Sequence, residues 1–144
     1  MQEHIQNELA SFIANCDWEK IAPHFKEDAA YRVLDWIGCA VAGEHYPQVE
    51  IAQKYFIENG DQGNSTVIGH QTKCSPRTAA FLNGIAGHVC ELDDGHRTAI
   101  GHPGSIAVPT ALALGEHLNA SGADVLKAVI LGYEVFSRLG RTVN

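Results

Sequence analysis

HVCELDDGHRTAIGHPG, residues 88–104, is a polar interruption between two apolar stretches, and it separates the helices that precede it from those that follow. It holds three carboxylates (Glu91, Asp93, Asp94), an arginine (Arg97) and three of the eight histidines (His88, His96, His102). Upstream, Ser75 and Pro76 form an N-cap and first-turn pair. Residues 78–89 continue as a helix rich in small side chains, which lets another helix approach closely. Its carboxyl end carries His88 into the polar stretch. Downstream, Pro103 and Pro109 bracket the start of a helix that runs through Ala111, Leu112, Leu114 and Leu118 and breaks at residues 119–122.

Working outward, Ile5, Leu9, Phe12, Ile13 and Cys16 recur at helical spacing and predict an amphipathic first helix ending near Asp17. After Pro23, residues 26–42 carry apolar side chains on nearly every side of a helix. Ala30, Val33, Leu34, Ile37 and Val41 make its densest stripe, and Gly43 is placed to end it. This helix is expected to be central and buried. Pro47 opens a third helix through about Glu58, stopped by Asn59 and Gly60. Residues 61–64 read as a turn, and Ser65, Thr66, Val67 and Ile68 form the single strand-like run. Ser121 with Asp124 resembles a capping box and starts a last helix with Leu126, Val129, Ile130, Tyr133 and Phe136 on one face. The expectation is an all-α bundle of about six helices with one short strand-like segment.

A chain of 144 residues makes one domain or part of one, since folding units commonly run to about 100–150 residues. With 45% hydrophobic and 19% charged residues, the composition is that of an ordinary globular protein, without a disordered tract. A net charge of −7 argues against nucleic-acid binding, which needs a clustered basic face. The four cysteines lack CxxC pairing and sit among apolar neighbours, so reduced, buried thiols are expected. The polar amino terminus is no signal peptide, and no apolar run approaches the roughly 18 residues of a membrane span. A cytoplasmic location without membrane contact follows.

Three chemistries suit the polar stretch, and the residues alone leave them open. Histidines beside carboxylates can remove or deliver protons, while Arg97 and His96 hold a substrate carboxylate. A metal could instead be gathered by His88 and Glu91, one helical turn apart, with Asp93, Asp94, His96 and His102 completing the shell. No HExxH or Cys/His finger pattern supports it. In the plainest reading the acidic residues cap the following helix and the histidines satisfy loop carbonyls. Elsewhere, His70, Lys73 and Arg77 surround the Ser75 N-cap, where an anion could sit, although an exposed polar turn is favoured. Trp18, Trp36 and Tyr133 read as packing residues, and His117 as solvated or facing its helix.

Four blocks together resemble the MmgE/PrpD family of 2-methylcitrate dehydratases, cis-aconitate decarboxylases and iminodisuccinate epimerases. They are LDWIGCAVAG (34–43), STVIGHQTKCSPRTAAFLNGIAGH (65–88), HVCELDDGHRTAIGHPGSIAVPTALALGE (88–116) and GYEVFSRLGR (132–141). The resemblance implies a helical domain without a required metal or organic cofactor, within a dimeric enzyme acting on small di- or tricarboxylic acids by proton transfer. The family's acidic loop, an Asp, an aromatic residue, then Asp-Asp-Thr, falls on Glu91, Leu92, Asp93, Asp94 and Gly95, and its His-Pro on His102 and Pro103. Glu91 thus replaces the common Asp, and Gly95 a Thr whose hydroxyl often serves the substrate. Family members are usually much longer, with a smaller α/β lid domain beyond this region; residues 1–144 correspond to a partial helical domain without that lid.

The expected site therefore has His102 as general acid or base. Asp93, Asp94 and Glu91 orient it or share the proton transfer, and Arg97 and His96 receive a substrate carboxylate. The expected reaction is a lyase step, dehydration of a 2-methylcitrate-like acid, with decarboxylation or epimerisation as alternatives. The expected partners are the acid and either a second copy or a second polypeptide supplying the rest of the fold. The rivals are a non-catalytic helical interaction module derived from such an enzyme and a metal-dependent enzyme.

Overall fold

The computed structural model describes residues 2–143, with side chains from residue 6 onward. It contains six α-helices, α1 (Gln2–Ala14), α2 (Pro23–Gly43), α3 (Pro47–Glu58), α4 (Pro76–His88), α5 (Gly104–Leu118) and α6 (Gly122–Val143), and a 3-10 turn at Trp18–Lys20. Among the described residues there is no sheet. The strand-like run makes one antiparallel bridge, Ser65 to Cys74, through a pair of backbone hydrogen bonds of 3.1 and 3.0 Å. The fold is all-α, as its punctuation predicts.

Several helix ends follow from local chemistry. Pro47 and Pro76 occupy first-turn positions, where a missing N–H costs nothing. Ser75 Oγ accepts from Thr78 N at 3.4 Å and donates to Asp61 at 3.0 Å. That carboxylate already fills the position an anion would take at this helix start, while Lys73 pairs with Glu116. Ser121 Oγ accepts from Asp124 N at 3.2 Å, capping α6, and donates to the Asp124 carboxylate at 2.7 Å, side chain to side chain. Asn119 closes α5 in the left-handed conformation, φ 52°. Pro103 is the N-cap residue of α5, which begins at Gly104, between the two prolines, and carries Pro109 buried within it.

The buried face of α2 differs from the expected stripe. Ala29, Trp36, Cys39, Ala40 and Gly43 point inward, whereas Leu34 is 65% and Val41 53% exposed. Closeness of approach decides this. A Cβ on Gly43 would strike the carbonyl of Ala86, and one on Gly87 would strike the Trp36 indole, so α2 and α4 meet backbone to backbone at Gly43 and through the indole at Gly87. Gly43 and Gly87 set the contact face and Trp36 fills it, while Leu34 and Val41 are left outside.

α4 is the pivot, packed on α2 and α5, with α6 closing against α5 and α2. One core joins Trp36, Ala40, Val49, Ala86, Val108 and Val129, and a second joins Val67, Cys74, Ala79, Leu82 and Ala113. The buried Asn83 amide of α4 accepts from Ile68 N and donates to Thr66 O, both at 2.9 Å, fastening the extended run to the bundle. In α1, Phe12 and Ile13 remain 48% and 39% exposed, so its apolar face is only partly covered; Ile5 lies outside the described side chains. No described helix is long and apolar enough to cross a membrane.

Candidate active site

The loop between α4 and α5 is organised by Asp93, whose side chain is 1% exposed. His88, the last residue of α4, places Nδ1 3.0 Å from Asp93 Oδ1. Ser105, in the first turn of α5, donates its hydroxyl to Asp93 Oδ2 at 2.6 Å. Trp36 of α2 donates its indole N–H to Ser105 Oγ at 3.2 Å, reaching it through the gap that Gly87 leaves. His102 brings Nδ1 to 3.3 Å from Asp93 Oδ2, close enough for charge attraction but not aligned for a hydrogen bond, and that nitrogen is buried.

Burial pushes the Asp93 carboxyl pKa up, but hydrogen bonds from Ser105 and His88 and the nearby imidazoles outweigh it and hold it below the ordinary carboxylate range. Asp93 is therefore a fixed negative charge. The imidazoles of His88 and His102 meet edge to face, centroids 4.6 Å apart, and their side chains are 44% and 36% exposed. With each Nδ1 turned toward Asp93, the Nε2 edges are left to the solvent side. Both rings line one cleft of about 650 Å³ between α4 and α5, with Phe81, Ile85 and Ile106 as its apolar walls.

Asp94 has a structural role. Its carboxylate accepts from Gly104 N at 3.0 Å, capping α5, and from Arg32 Nη1 of α2 at 3.1 Å. A Cβ on Gly104 would press on Asp94 and the Tyr133 hydroxyl. Burial first, and then the Asp94 charge, raise the Tyr133 phenol well above its ordinary pKa, so it stays protonated. Tyr133 is thus a polar partner as well as a packing residue.

The remaining expected residues lie outside this hydrogen-bonded centre. His96 Nδ1 accepts from Ala99 N at 3.1 Å, and His96 forms the second bridge, with Gly101, so its ring helps shape the turn. His96 also lines a separate pocket of about 340 Å³ with Arg32, Asp94 and Tyr133. Arg97 is exposed, and the arginine that the fold binds to the loop is Arg32. Glu91 is exposed on a left-handed turn, φ 51°. Ser105 and Trp36 are not singled out by the sequence, and His88 only as a possible metal ligand; the available signal is the spacing of His88 and Ser105 on either side of Asp93.

His88, Asp93 and His102 offer one ligand atom each within 4.8 Å, and among the described residues no other group comes so close. The carboxylate in this group already takes hydrogen bonds from His88 and Ser105. Cys39 and Cys74 are buried and Cys16 and Cys90 half-buried, all as free thiols.

A family model, the MmgE/PrpD N-terminal domain, matches residues 7–144. The chain is 31% identical to a cis-aconitate decarboxylase-like protein of Aspergillus oryzae, over 95% of this chain and 30% of that protein. It is 32% identical to a cis-aconitate decarboxylase of Aspergillus terreus, over 96% of this chain and 29% of the relative. It is 35% identical to the Homo sapiens cis-aconitate decarboxylase, over 74% and 23% respectively. The chain thus spans less than a third of the length of these relatives.

Proposed function

From the premise that this chain belongs to the MmgE/PrpD family, we propose that it forms the proton-transfer side of a lyase for a small di- or tricarboxylic acid. The observation that carries this reading is the buried Asp93 carboxylate holding His88 and His102 at the mouth of one cleft. His102 acts at its Nε2, and Asp93 fixes its ring and stabilises the imidazolium. The names of the relatives favour decarboxylation of a cis-aconitate-like acid. The C–CO2 bond breaks, its electron pair moves toward carbon, and an imidazolium proton quenches it.

A second reading is dehydration of a 2-methylcitrate-like acid, favoured by two imidazoles on one carboxylate, because elimination of water needs a proton acceptor and a proton donor together. In either reading the exposed side chains of Glu91 and Arg97 turn toward the site as a substrate or a covering segment approaches, and His96 serves from its place in the loop. A second copy or a second polypeptide is the partner this reading calls for, in the cytoplasm. A non-catalytic module is the alternative in the absence of turnover.

The test offers cis-aconitate, 2-methylcitrate and citrate to the purified chain, alone and in the assembly it forms in its own cells, while CO2 release and double-bond absorbance are followed. Turnover that disappears in His102→Asn is expected. A folded wild-type assembly inert toward all three acids would overturn the lyase reading.

A further inference from the structure

We propose that His88 is a second proton-transfer residue, paired with His102 across the single carboxylate of Asp93, so that the site holds an acid and a base at the same time. This rests on the lyase reading above. The Trp36 indole fills the acceptor side of Ser105 at 3.2 Å, which directs the Ser105 proton to Asp93 Oδ2 at 2.6 Å. His88 Nδ1 lies 3.0 Å from Asp93 Oδ1 and 3.2 Å from Oδ2, and His102 Nδ1 stands 3.3 Å from Oδ2. One carboxylate balances one imidazolium. Two charged rings with centroids 4.6 Å apart would repel each other, and the one carboxylate between them offsets only one such charge.

Such a pair conserves its proton through a turnover. In an elimination, the neutral Nε2 takes the proton from the carbon beside a carboxylate, and the released electron pair forms the double bond as the C–O bond breaks. The hydroxyl leaves as water with the imidazolium proton. The rings have exchanged states, and the pair still holds one proton. In a decarboxylation, the imidazolium proton goes to carbon as CO2 departs, and the neutral partner takes up the replacement from solvent. Both rings line the same cleft, so both Nε2 edges can face one small acid.

His88→Asn is the discriminating variant, because an amide N–H can replace the Nδ1–H donor to Asp93 while the Nε2 acid/base is lost. Its turnover of the acid that the wild type uses is expected to fall at least about 100-fold, as does that of His102→Asn, with KM within about threefold and the thermal midpoint unchanged. Wild-type turnover in His88→Asn beside an inert His102→Asn would overturn the pairing. A second measurement is independent of turnover: the imidazole 15N spectrum during titration with citrate. Shifts at both His88 and His102 are expected, whereas a spectrum in which His88 does not respond would overturn the proposal even if the lyase reading stood.

Discussion

The Trp36 indole N–H and the Ser105 hydroxyl, 69 positions apart, share a hydrogen bond of 3.2 Å that couples the centre of the bundle to the carboxylate of the site. Ser105→Ala removes the acceptor of a buried indole and a donor to Asp93 in one change. A destabilisation of about 1–3 kcal/mol is expected in urea unfolding. A shift in Trp36 fluorescence should accompany it, since the indole loses its polar partner. Unchanged stability and emission would remove Ser105 from the relay.

Gly87→Ala tests the gap through which that indole passes. The added Cβ meets the Trp36 ring, which is walled in by the core. Overpacking of this kind costs about 1–3 kcal/mol. The expected outcome is a lower urea midpoint with an unchanged m-value, and weaker turnover because Trp36 is pushed off Ser105.

Asp93→Asn should act through pH. The folded Asp93 carboxyl lies below its ordinary pKa, so its charge contributes stability above about pH 4, and that contribution is lost as pH falls through the lower folded value. The variant lacks this slope. Its deficit relative to wild type is therefore expected to be largest near neutrality and to shrink below about pH 4. Asp61 and Glu116, also lowered, are present in both proteins and cancel in the difference. A deficit that stays constant from pH 7 to pH 3 would contradict the assignment.

The two faces of α2 and α4 give a paired prediction. Leu34, 65% exposed, should accept Gln with a change within about 0.5 kcal/mol, whereas Leu82→Ala, in the second core, should cost about 2–5 kcal/mol. Thermal and urea unfolding of the two variants side by side check the orientation of both helices.

Gly95 stands where relatives of this family often carry Thr, and nothing lies within 4 Å of a Cβ built there. Gly95→Thr should fold with stability within about 0.5 kcal/mol of wild type. If a hydroxyl at this position serves the acid, KM falls while kcat holds; an unchanged KM would take the position out of substrate binding.

The helices were legible where punctuation is local. Pro47 with Asn59, Ser75 with Pro76, and Ser121 with Asp124 act within a turn of themselves, and α3, α4 and α6 begin where those residues place them. Pro103 and Pro109 flank the start of α5, and Pro109 is tolerated inside it because an internal proline removes one hydrogen bond from a helix already held by packing. The face of α2 was not legible, since residues 26–42 are apolar all round and hydrophobicity does not measure how near another helix can come. Gly43 and Gly87 hold that information, but only in relation to Ala86 and Trp36. In the site, Asp93 and His102 stood out by clustering. His88 and Ser105 gain their meaning from meeting one carboxylate, which requires the ends of two helices to be brought together.

The segment between α4 and α5 is fastened along its length: Asp93 to both adjoining helices, Asp94 to Arg32 and Gly104, and His96 to Ala99 and Gly101. In kinetic terms it is a fixed wall and not a gate. The amides of His96 and Gly104 should exchange with solvent only on the timescale of global opening. Sealing the cleft against water then falls to whatever element approaches its open side, and the movement of that element, not of the 89–103 backbone, opens the way out for a bound acid.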